Sequence, residues 1–315
     1  VMKPINKEKI LAKLGHVVVL KGGTSAEREI SLLSGSAVFN GLQRLGVNAA
    51  VIDVGNDIID QLREAKPDLV VPMLHGKDGE DGVIQGMLEM MQLPYTGSGV
   101  LASAIAMDKV KSKLIWRRLG LNTADFEFIY SDSNWNELIE KFGRIVVKPV
   151  NGGSSLGIAI VDNADDLQQK HSEALAFDSG VIAEKFVNGN EYSTGVLGDE
   201  IFPTVQLETP REFFDYEAKY EDENTRFICP PELPEYKLQE LEALIKSAYN
   251  SLGCTGLARI DVMQEGDGDF YLLELNTIPG MTEHSFVPMA AKHVGITFDE
   301  LILRILDYET ERLGK

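Results

Sequence analysis

The 315-residue sequence is poor in cysteine, with only Cys229 and Cys254. Two thiols cannot form a disulfide framework, and their spacing does not match a cysteine metal site. We therefore expect both to be buried and inert. The first residues also lack the basic and then apolar pattern of a secretion signal. These observations favour a reducing cytoplasm as the location of the protein.

Basic side chains are also in the minority, because 30 Lys and Arg stand against 49 Asp and Glu, a formal net charge of −19. This balance argues against nucleic acid or an anionic membrane surface as a partner. No apolar run approaches the roughly 20 residues that a membrane-spanning helix needs. An anionic substrate would have to be bound by a local concentration of Lys and Arg.

Two nucleotide-binding fingerprints are missing: neither G-x-x-x-x-G-K-[ST] nor G-x-G-x-x-G occurs. The stretch GSSLG, residues 153–157, does match the nucleophile elbow of serine hydrolases, with Ser155 as the nucleophile. That elbow requires a helix directly after it. The residues that follow, LGIAIV, are typical of a strand instead, which disfavours a hydrolase.

A Gly-Ser turn between two strands can instead fold over a phosphate chain, because its backbone N–H groups bind anions. A plain surface hairpin is the alternative interpretation. Lys148 lies near the end of the apolar strand just before this turn. A solvated lysine is unusual there, so its position favours the phosphate interpretation.

The order of elements predicts three domains. In the first hundred residues the apolar runs HVVVL, NAAVIDV and DLVVPML alternate with helical patterns, which indicates a parallel sheet covered on both faces. From about residue 108 the pattern changes: ADFEFIY, RIVVKPV, LGIAIV and GVIAEKFV are typical of strands, with helical segments between only some of them. We predict an α/β domain followed by two α+β lobes, with boundaries at 1–107, 108–189 and 190–315. A long irregular loop, 208–228, lies in the last of these.

Two neighbouring strands near the C-terminus carry charge on apolar segments. LARIDVM contains Arg259 and Asp261, and DFYLLELN contains Glu274 and Asn276. Residues two apart share a face of a strand, and a hairpin would bring all four side chains together. A salt bridge from Arg259 to one carboxylate explains this spacing as well as a Mg²⁺ site does. Lys148 and the Gly-Ser turn favour Mg²⁺ with a triphosphate.

Taken together, several stretches in this order resemble the D-alanine–D-alanine ligase family of the ATP-grasp superfamily. They are GGTSAEREISLLSG, HGKDGEDG, LPYTGSGV, MDKVKSK, VVKPVNGGSSLG, DYEAKY, RIDVM and ELNTIPGMTEHS. The resemblance runs from about residue 16 to 311. It implies the ATP-grasp fold, with ATP held between the central and C-terminal lobes behind an N-terminal Rossmann-like parallel-sheet domain.

The resemblance implies a reaction in three steps, used for peptidoglycan precursors and hence for the cell wall and cell shape. A first D-alanine takes the γ-phosphate of ATP to give D-alanyl phosphate. The amine of a second D-alanine then attacks the carbonyl, and phosphate leaves. Tyr220 matches the relatives that form a dipeptide rather than an ester. The resemblance also implies a homodimer.

For the nucleotide, the resemblance implies two Mg²⁺ ions, replaceable by Mn²⁺, on Asp261, Glu274 and Asn276, with Glu274 bridging. Lys109 and Lys148 would contact the α- and β-phosphates. Glu184 and Lys185 would contact the adenine edge, and Glu191 the ribose. The implied ATP-binding residues are Lys109, Lys148, Ser155, Glu184, Lys185, Val187 and Glu191.

For the first amino acid, the resemblance places Glu27 at the ammonium group and His75 beside the substrate. Without a ligand, Glu27 would simply be a favourable charge at the start of a helix, and His75 a loop residue. Arg259 and the backbone N–H of Gly280 would stabilise the developing oxyanion.

For the second amino acid, the resemblance places Ser285 and Lys219 at the carboxylate. Glu27, Ser154 and Tyr220 would form a hydrogen-bonded triad that closes the long loop over the site. Closure would exclude water and so protect the acyl phosphate.

Two other functions remain open at this point. Another ATP-grasp carboxylate–amine ligase, with a different amino-acid substrate, would keep the same metal and ATP residues. A non-catalytic nucleotide-binding protein would be expected if the metal ligands or Arg259 were replaced. All of them are present, which disfavours that second alternative.

Overall fold

The computed structural model describes residues 4–153, 156–208 and 225–315. Its strands form three sheets, of which the first is parallel and the other two are antiparallel. This agrees with the predicted order of structural units, an α/β unit followed by α+β units. Among the described residues, no helix is both long enough and apolar enough to cross a membrane.

The first sheet has β1 (Val17–Gly22) at its centre, between β2 (Ala49–Val54) and β3 (Leu69–Pro72). Its strands are parallel, as predicted, and residues 17–20 are fully buried. Helices on both faces exclude water from such strands, which explains their continuous apolar runs. The helices of this part are α1 (Lys7–Lys13), α2 (Arg28–Leu45), α3 (Ile58–Ala65), α4 (Val83–Met90) and α5 (Val100–Met107).

The residues before β1, which precede the stretch of family resemblance, contain helix α1. The Asn6 side chain accepts a hydrogen bond from the backbone N–H of Lys9 and so caps the helix. Ile10 is only 1% exposed and belongs to a hydrophobic cluster that also contains Leu301 and Leu306 of the C-terminal helix. A helix of seven residues completes barely two turns, so its periodicity gives too little signal to be predicted.

The second sheet has the order β4 (Phe126–Phe128), β7 (Val181–Lys185), β5 (Ile145–Pro149), β6 (Ala159–Val161). Helix α6 (Lys109–Arg118) precedes it, and α7 (Trp135–Phe142) and α8 (Ala164–Ala174) lie between its strands in the chain. Strand β6 pairs antiparallel with β5. The segment after the GSSLG stretch is therefore a strand, as predicted, and the hydrolase elbow is excluded.

The third sheet has the order β11 (Arg226–Ile228), β10 (Val205–Glu208), β8 (Gly189–Leu197), β12 (Leu257–Glu265), β13 (Phe270–Asn276), with β9 (Glu200–Ile201) paired to β8. Helix α9 (Glu235–Ser251) precedes β12, and α10 (Phe286–His293) and α11 (Phe298–Arg312) end the chain. Helix α11 packs on α2, so the C-terminal helices share a core with the first sheet. The three domain boundaries stay a prediction.

The β12–β13 hairpin contains a bulge that turns Glu274 away from the core. The register pairs Asp261 with Glu274 but then skips Leu273. Leu272, before the bulge, and Leu275, after it, both lie in the hydrophobic core. In an unbroken strand Glu274 would share the core face with Leu272, because side chains alternate. The single inserted residue therefore moves Glu274 to the opposite face.

Candidate active site

The β12–β13 hairpin brings the predicted charged residues to one face. Asp261 lies opposite Glu274, and Arg259 lies opposite Asn276. Side chains directly opposite each other in an antiparallel pair point to the same side of the sheet. The pairing predicted from the sequence is therefore confirmed, although the bulge in it was not predicted.

Asp261 is a buried carboxylate of this face, only 4% exposed. Arg259 donates to both of its oxygens, from Nε at 2.9 Å and from Nη2 at 2.8 Å. Ser193 Oγ donates at 2.7 Å, and Asn276 Nδ2 at 3.2 Å. The salt bridge that the spacing allowed is thus present within the cluster, so it does not exclude a metal site.

A cavity of about 740 Å³ opens beside this face, between the second and third sheets. Strands β5, β6 and β7 line one side of it, and β8, β12 and β13 line the other. The lining residues are Lys109, Val146, Lys148, Ile158, Ile160, Glu184, Phe186, Val187, Glu191, Asp261, Met263, Leu273 and Glu274. Both Leu273 and Glu274 line it because of the bulge. Lys185 is exposed and does not line the cavity.

Three charged side chains form a buried cluster at one end of the cavity. Glu184 is 2% exposed, and its two oxygens contact two lysines: Oε1 lies 2.5 Å from Lys148 Nζ, and Oε2 lies 2.6 Å from Lys113 Nζ. Burial opposes the charged form of Glu184, but the two lysines outweigh this effect and hold its pKa below the usual range. Burial lowers the pKa of Lys113 to about 8, against the opposing influence of Glu184.

Lys109 connects the hairpin with the glycine-rich turn. Its Nζ donates to the carbonyl oxygen of Gly152 at 2.6 Å and lies 3.7 Å from Glu274 Oε2. Its side chain is only 8% exposed. A second cavity, of about 330 Å³, shares Lys109 and Glu274 with the first and extends toward Gly153 and Glu80. The two cavities therefore meet at the end of the hairpin.

Glu80 lines the second cavity, and Glu27 lies close to its lining residue Gly153. Glu27 lies at the N-terminus of α2, and a Cβ added to Gly153 would lie 2.9 Å from its Oε1. The Gly76 N–H donates to Glu80 Oε2 at 2.7 Å. Burial, and then the nearby charge of Glu27, raise the pKa of Glu80 to about 8. The raised pKa keeps Glu80 largely protonated at neutral pH, so the negative charge available to attract an ammonium group here is that of Glu27. Glu80 was not predicted, because a glutamate in a charged loop carries no sign of burial.

His75 lies behind these carboxylates and is fixed by Ser34 of α2. The two side chains are joined at 3.2 Å through His75 Nε2 and Ser34 Oγ, and Ser34 Oγ also accepts the N–H of Met281 at 3.2 Å. Burial lowers the pKa of His75 to about 4, so its ring is neutral at neutral pH. Ser34 thus holds the turn around Gly280 against the first domain, a role that the sequence did not reveal.

Gly280 lies against Ser285, the residue at the N-terminus of α10. A Cβ at Gly280 would lie 2.8 Å from Ser285 Oγ, so a larger residue would collide with that hydroxyl. Ser285 Oγ accepts the Thr282 N–H at 3.0 Å. The structure therefore brings the two predicted substrate-binding positions into contact at the end of the turn.

Four of the predicted residues, Ser154, Ser155, Lys219 and Tyr220, lie outside the described part of the chain. Both cysteines are free, and Cys254 is buried as expected. Cys229 is only partly buried, unlike the prediction. Burial raises the pKa of both thiols, so neither is a ready nucleophile.

The side-chain donors at the hairpin decide whether magnesium fits there. In residues 4–153, 156–208 and 225–315 no group of three His, Cys, Asp or Glu side chains could hold a metal ion. The hairpin offers two carboxylates and one amide, Asp261, Glu274 and Asn276, on one face. Mg²⁺ usually binds one or two carboxylates and takes its other oxygens from phosphates and water. The residues present therefore fit Mg²⁺ with a bound nucleotide.

Comparison with known families matches two family models to the chain. The model described as "D-ala D-ala ligase C-terminus" matches residues 115–307, and the model described as "D-ala D-ala ligase N-terminus" matches residues 56–98. The first covers the second and third sheets and the hairpin with its acidic cluster. The second covers the third strand of the parallel sheet and the loop that contains His75.

Individual relatives agree with the family models. The chain is 48% identical to the D-alanine--D-alanine ligase of Chromohalobacter salexigens, over 94% of this chain and 95% of that protein. It is also 48% identical to the D-alanine--D-alanine ligase of Nitrosococcus oceani, over 95% of each. The solved structure of the Bacillus anthracis enzyme complexed with ATP is 32% identical and superposes with a TM-score of 0.83, over 95% of this chain and 98% of that one.

The lowered pKa of His75 predicts an acid-sensitive fold. Its folded pKa of about 4 lies below the ordinary 6.5, so the unfolded state binds a proton first as the pH falls. Stability should therefore decrease between about pH 6.5 and pH 4. We expect the His75 contribution to cost about 2 kcal/mol at pH 5 relative to pH 7. Urea unfolding at both pH values measures it.

The matched control for this experiment is exposed His293 at the end of α10. His75→Asn should remove this part of the pH dependence, whereas His293→Asn should leave it as in the unaltered protein. An unaltered pH dependence in His75→Asn would contradict the assignment.

Proposed function

The chain belongs to the D-alanine–D-alanine ligase family, and we propose that it joins two D-alanines into D-alanyl-D-alanine at the expense of ATP, through D-alanyl phosphate. The observation that carries this function is the hairpin pairing of Asp261 with Glu274 beside Lys109 and Lys148 at one cavity. Phosphoryl transfer between two anions needs alignment and charge neutralisation above all, and this arrangement supplies both.

ATP occupies the 740 Å³ cavity in this proposal. Its phosphates lie along Lys109 and Lys148 and beneath the glycine-rich turn, which includes Ser155. Its adenine lies toward Glu184 and Val187, and its ribose toward Glu191. A neutral sugar tolerates an acidic neighbour that a phosphate would not. Because the Lys185 side chain is exposed, any contact it makes with adenine would come from its backbone.

Two Mg²⁺ ions, or Mn²⁺ in their place, would be held by Asp261, Glu274 and Asn276. When bound, they neutralise charge on the nucleotide phosphates. Arg259 then has two tasks in the proposal. It holds the Asp261 carboxylate in place through two hydrogen bonds, and it stabilises the negative charge that develops on the substrate carbonyl.

The first D-alanine binds through its ammonium group to Glu27, which lies close to Gly153 at the second cavity, with His75 beside it. Being neutral, His75 adds no repulsion to that ammonium. The carboxylate of this first D-alanine then lies toward the hairpin, where it meets the γ-phosphate of ATP. The backbone N–H of Gly280 joins Arg259 in stabilising the oxyanion.

The second D-alanine binds through its carboxylate to Ser285 and Lys219, which places its amine toward the acyl phosphate. By the family resemblance, Glu27 would form a hydrogen-bonded triad with Ser154 and Tyr220, which lie outside the described residues, and the triad would hold loop 208–228 over the reactants. A closed loop excludes water, so the amine rather than water attacks the acyl phosphate.

The product serves peptidoglycan synthesis, and hence cell wall formation and cell shape. We also propose a cytoplasmic location, where ATP is available, and a homodimer.

The homodimer is supported by an apolar surface on the first domain. Val83, Met90 and Leu101, on α4 and α5, are more than half exposed, and an unpaired apolar surface of this kind favours association. Sedimentation should give a dimer that Met90→Glu weakens, whereas a monomer at all concentrations would contradict the proposal.

The substrate is tested by measuring ADP release with D- and L-amino acids and Mg²⁺. We expect turnover with D-alanine that L-alanine does not support, and D-alanyl-D-alanine as the product. Faster turnover with L-alanine or another amino acid would instead support a different ATP-grasp ligase. Nucleotide binding by calorimetry without any turnover would identify a binding protein.

Glu274→Gln tests the metal site at the hairpin. We expect turnover to fall by at least about a thousandfold, because the substitution removes one of the two negative charges of the metal site, while the stability of the fold changes little. Coupled kinetics and thermal unfolding measure the two effects. Asp267→Asn, at the exposed tip of the same hairpin, is the control and should be fully active. Activity retained in Glu274→Gln would contradict the site.

A further inference from the structure

We propose that Lys113, which lies outside the cavity, is a positioning residue for ATP: it holds the Glu184 carboxylate and so leaves the charge of Lys148 for the nucleotide. This inference rests on the proposed function, because it assumes that ATP occupies the cavity between the second and third sheets. It concerns a residue behind the cavity wall and not one that touches the nucleotide.

The first argument is burial. Lys113 has no exposed side-chain surface, which is rare for a lysine and costly without a partner. Lys109 and Lys111 precede it on helix α6; Lys109 lines the cavity, and Lys111 is exposed. Lys113 therefore serves neither solubility nor direct ligand contact. A methionine or leucine would fill the same space without the cost of burying a charge.

The second argument is the division of the Glu184 carboxylate. Lys148, which lines the cavity, contacts Oε1, and Lys113, which does not line it, contacts the other oxygen, Oε2. Two lysines and one carboxylate leave a net charge of about +1 in the cluster. Without Lys113 the cluster would be neutral, and Glu184 would bind Lys148 alone. Lys148 would then be held to Glu184 and attract phosphate less strongly.

The third argument is a connection to the hairpin. Lys113 Nζ also donates to Thr123 Oγ1, and Thr123 Oγ1 donates to the carbonyl oxygen of Leu272 at 2.8 Å. Leu272 directly precedes the bulge residue Leu273. The same ammonium group thus contacts the cluster at one end of the cavity and supports the strand that presents Glu274.

The test is the Lys113→Met variant, which keeps the length of the side chain and removes its charge. We expect the KM for ATP to rise about tenfold, as for the loss of one charge-assisted contact, while the KM for D-alanine stays within about twofold. Lys111→Met, on the exposed side of the same helix, should change neither value. An unchanged KM for ATP in a folded Lys113→Met protein would overturn the proposal.

A double-mutant cycle keeps the proposal testable if Lys113→Met does not fold. Lys113→Met combined with Glu184→Gln contains no unpaired buried carboxylate and should fold. If Lys113 acts through Glu184, adding Lys113→Met to the Glu184→Gln protein should leave the KM for ATP within about twofold. An increase of about tenfold in that background would show that Lys113 acts independently, and would overturn the proposal. Absence of turnover in the unaltered protein would instead contradict the proposed function.

Discussion

The pairing of Asp261 with Glu274 across the β12–β13 hairpin is the interaction on which the site depends. It requires the bulge at Leu273, because an unbroken strand would send Glu274 into the core with Leu272. One inserted residue thus allows β13 to give apolar side chains to the core and oxygen ligands to the cavity. Both faces of β13 have a role, because one packs on the core of the third sheet and the other lines the cavity.

The charges around the cavity are arranged so that each buried group has a partner of opposite sign. Asp261 is held by Arg259, and Glu184 is held by Lys113 and Lys148. Such pairs contribute little net stability, because the cost of desolvation offsets the attraction. Their value is positional: groups that will meet the phosphates of ATP are fixed before ATP arrives, so little reorganisation is needed. The overall charge of −19 makes this local concentration of cations necessary.

The sequence allowed the first sheet to be predicted, because strands buried on both faces are continuously apolar. It also allowed the hairpin pairing to be predicted, because only the short stretch QEGDGD separates the two strands. The bulge could not be predicted, since Leu273 is one apolar residue among several. Helix α1 was too short for its periodicity to be recognised.

The buried polar residues were harder to predict. Ser34 and Glu80 were missed because their roles come from contacts distant in sequence, to Met281 and to the surroundings of Glu27. Lys113 did carry a signal, since it lies one helical turn after Lys109 and so on the same face of α6. That spacing is equally typical of a solvated helix face, and only its contacts distinguish the two.

The central claim is that the end of the hairpin binds the metal ions that accompany ATP. A crystal structure with Mn²⁺ and a non-hydrolysable ATP analogue tests it most directly, because anomalous scattering identifies the positions of the manganese ions directly. The account predicts anomalous peaks about 2.2 Å from oxygens of Asp261, Glu274 and Asn276 and of the analogue's phosphates. Peaks elsewhere, or an analogue bound with no manganese at these residues, would contradict it.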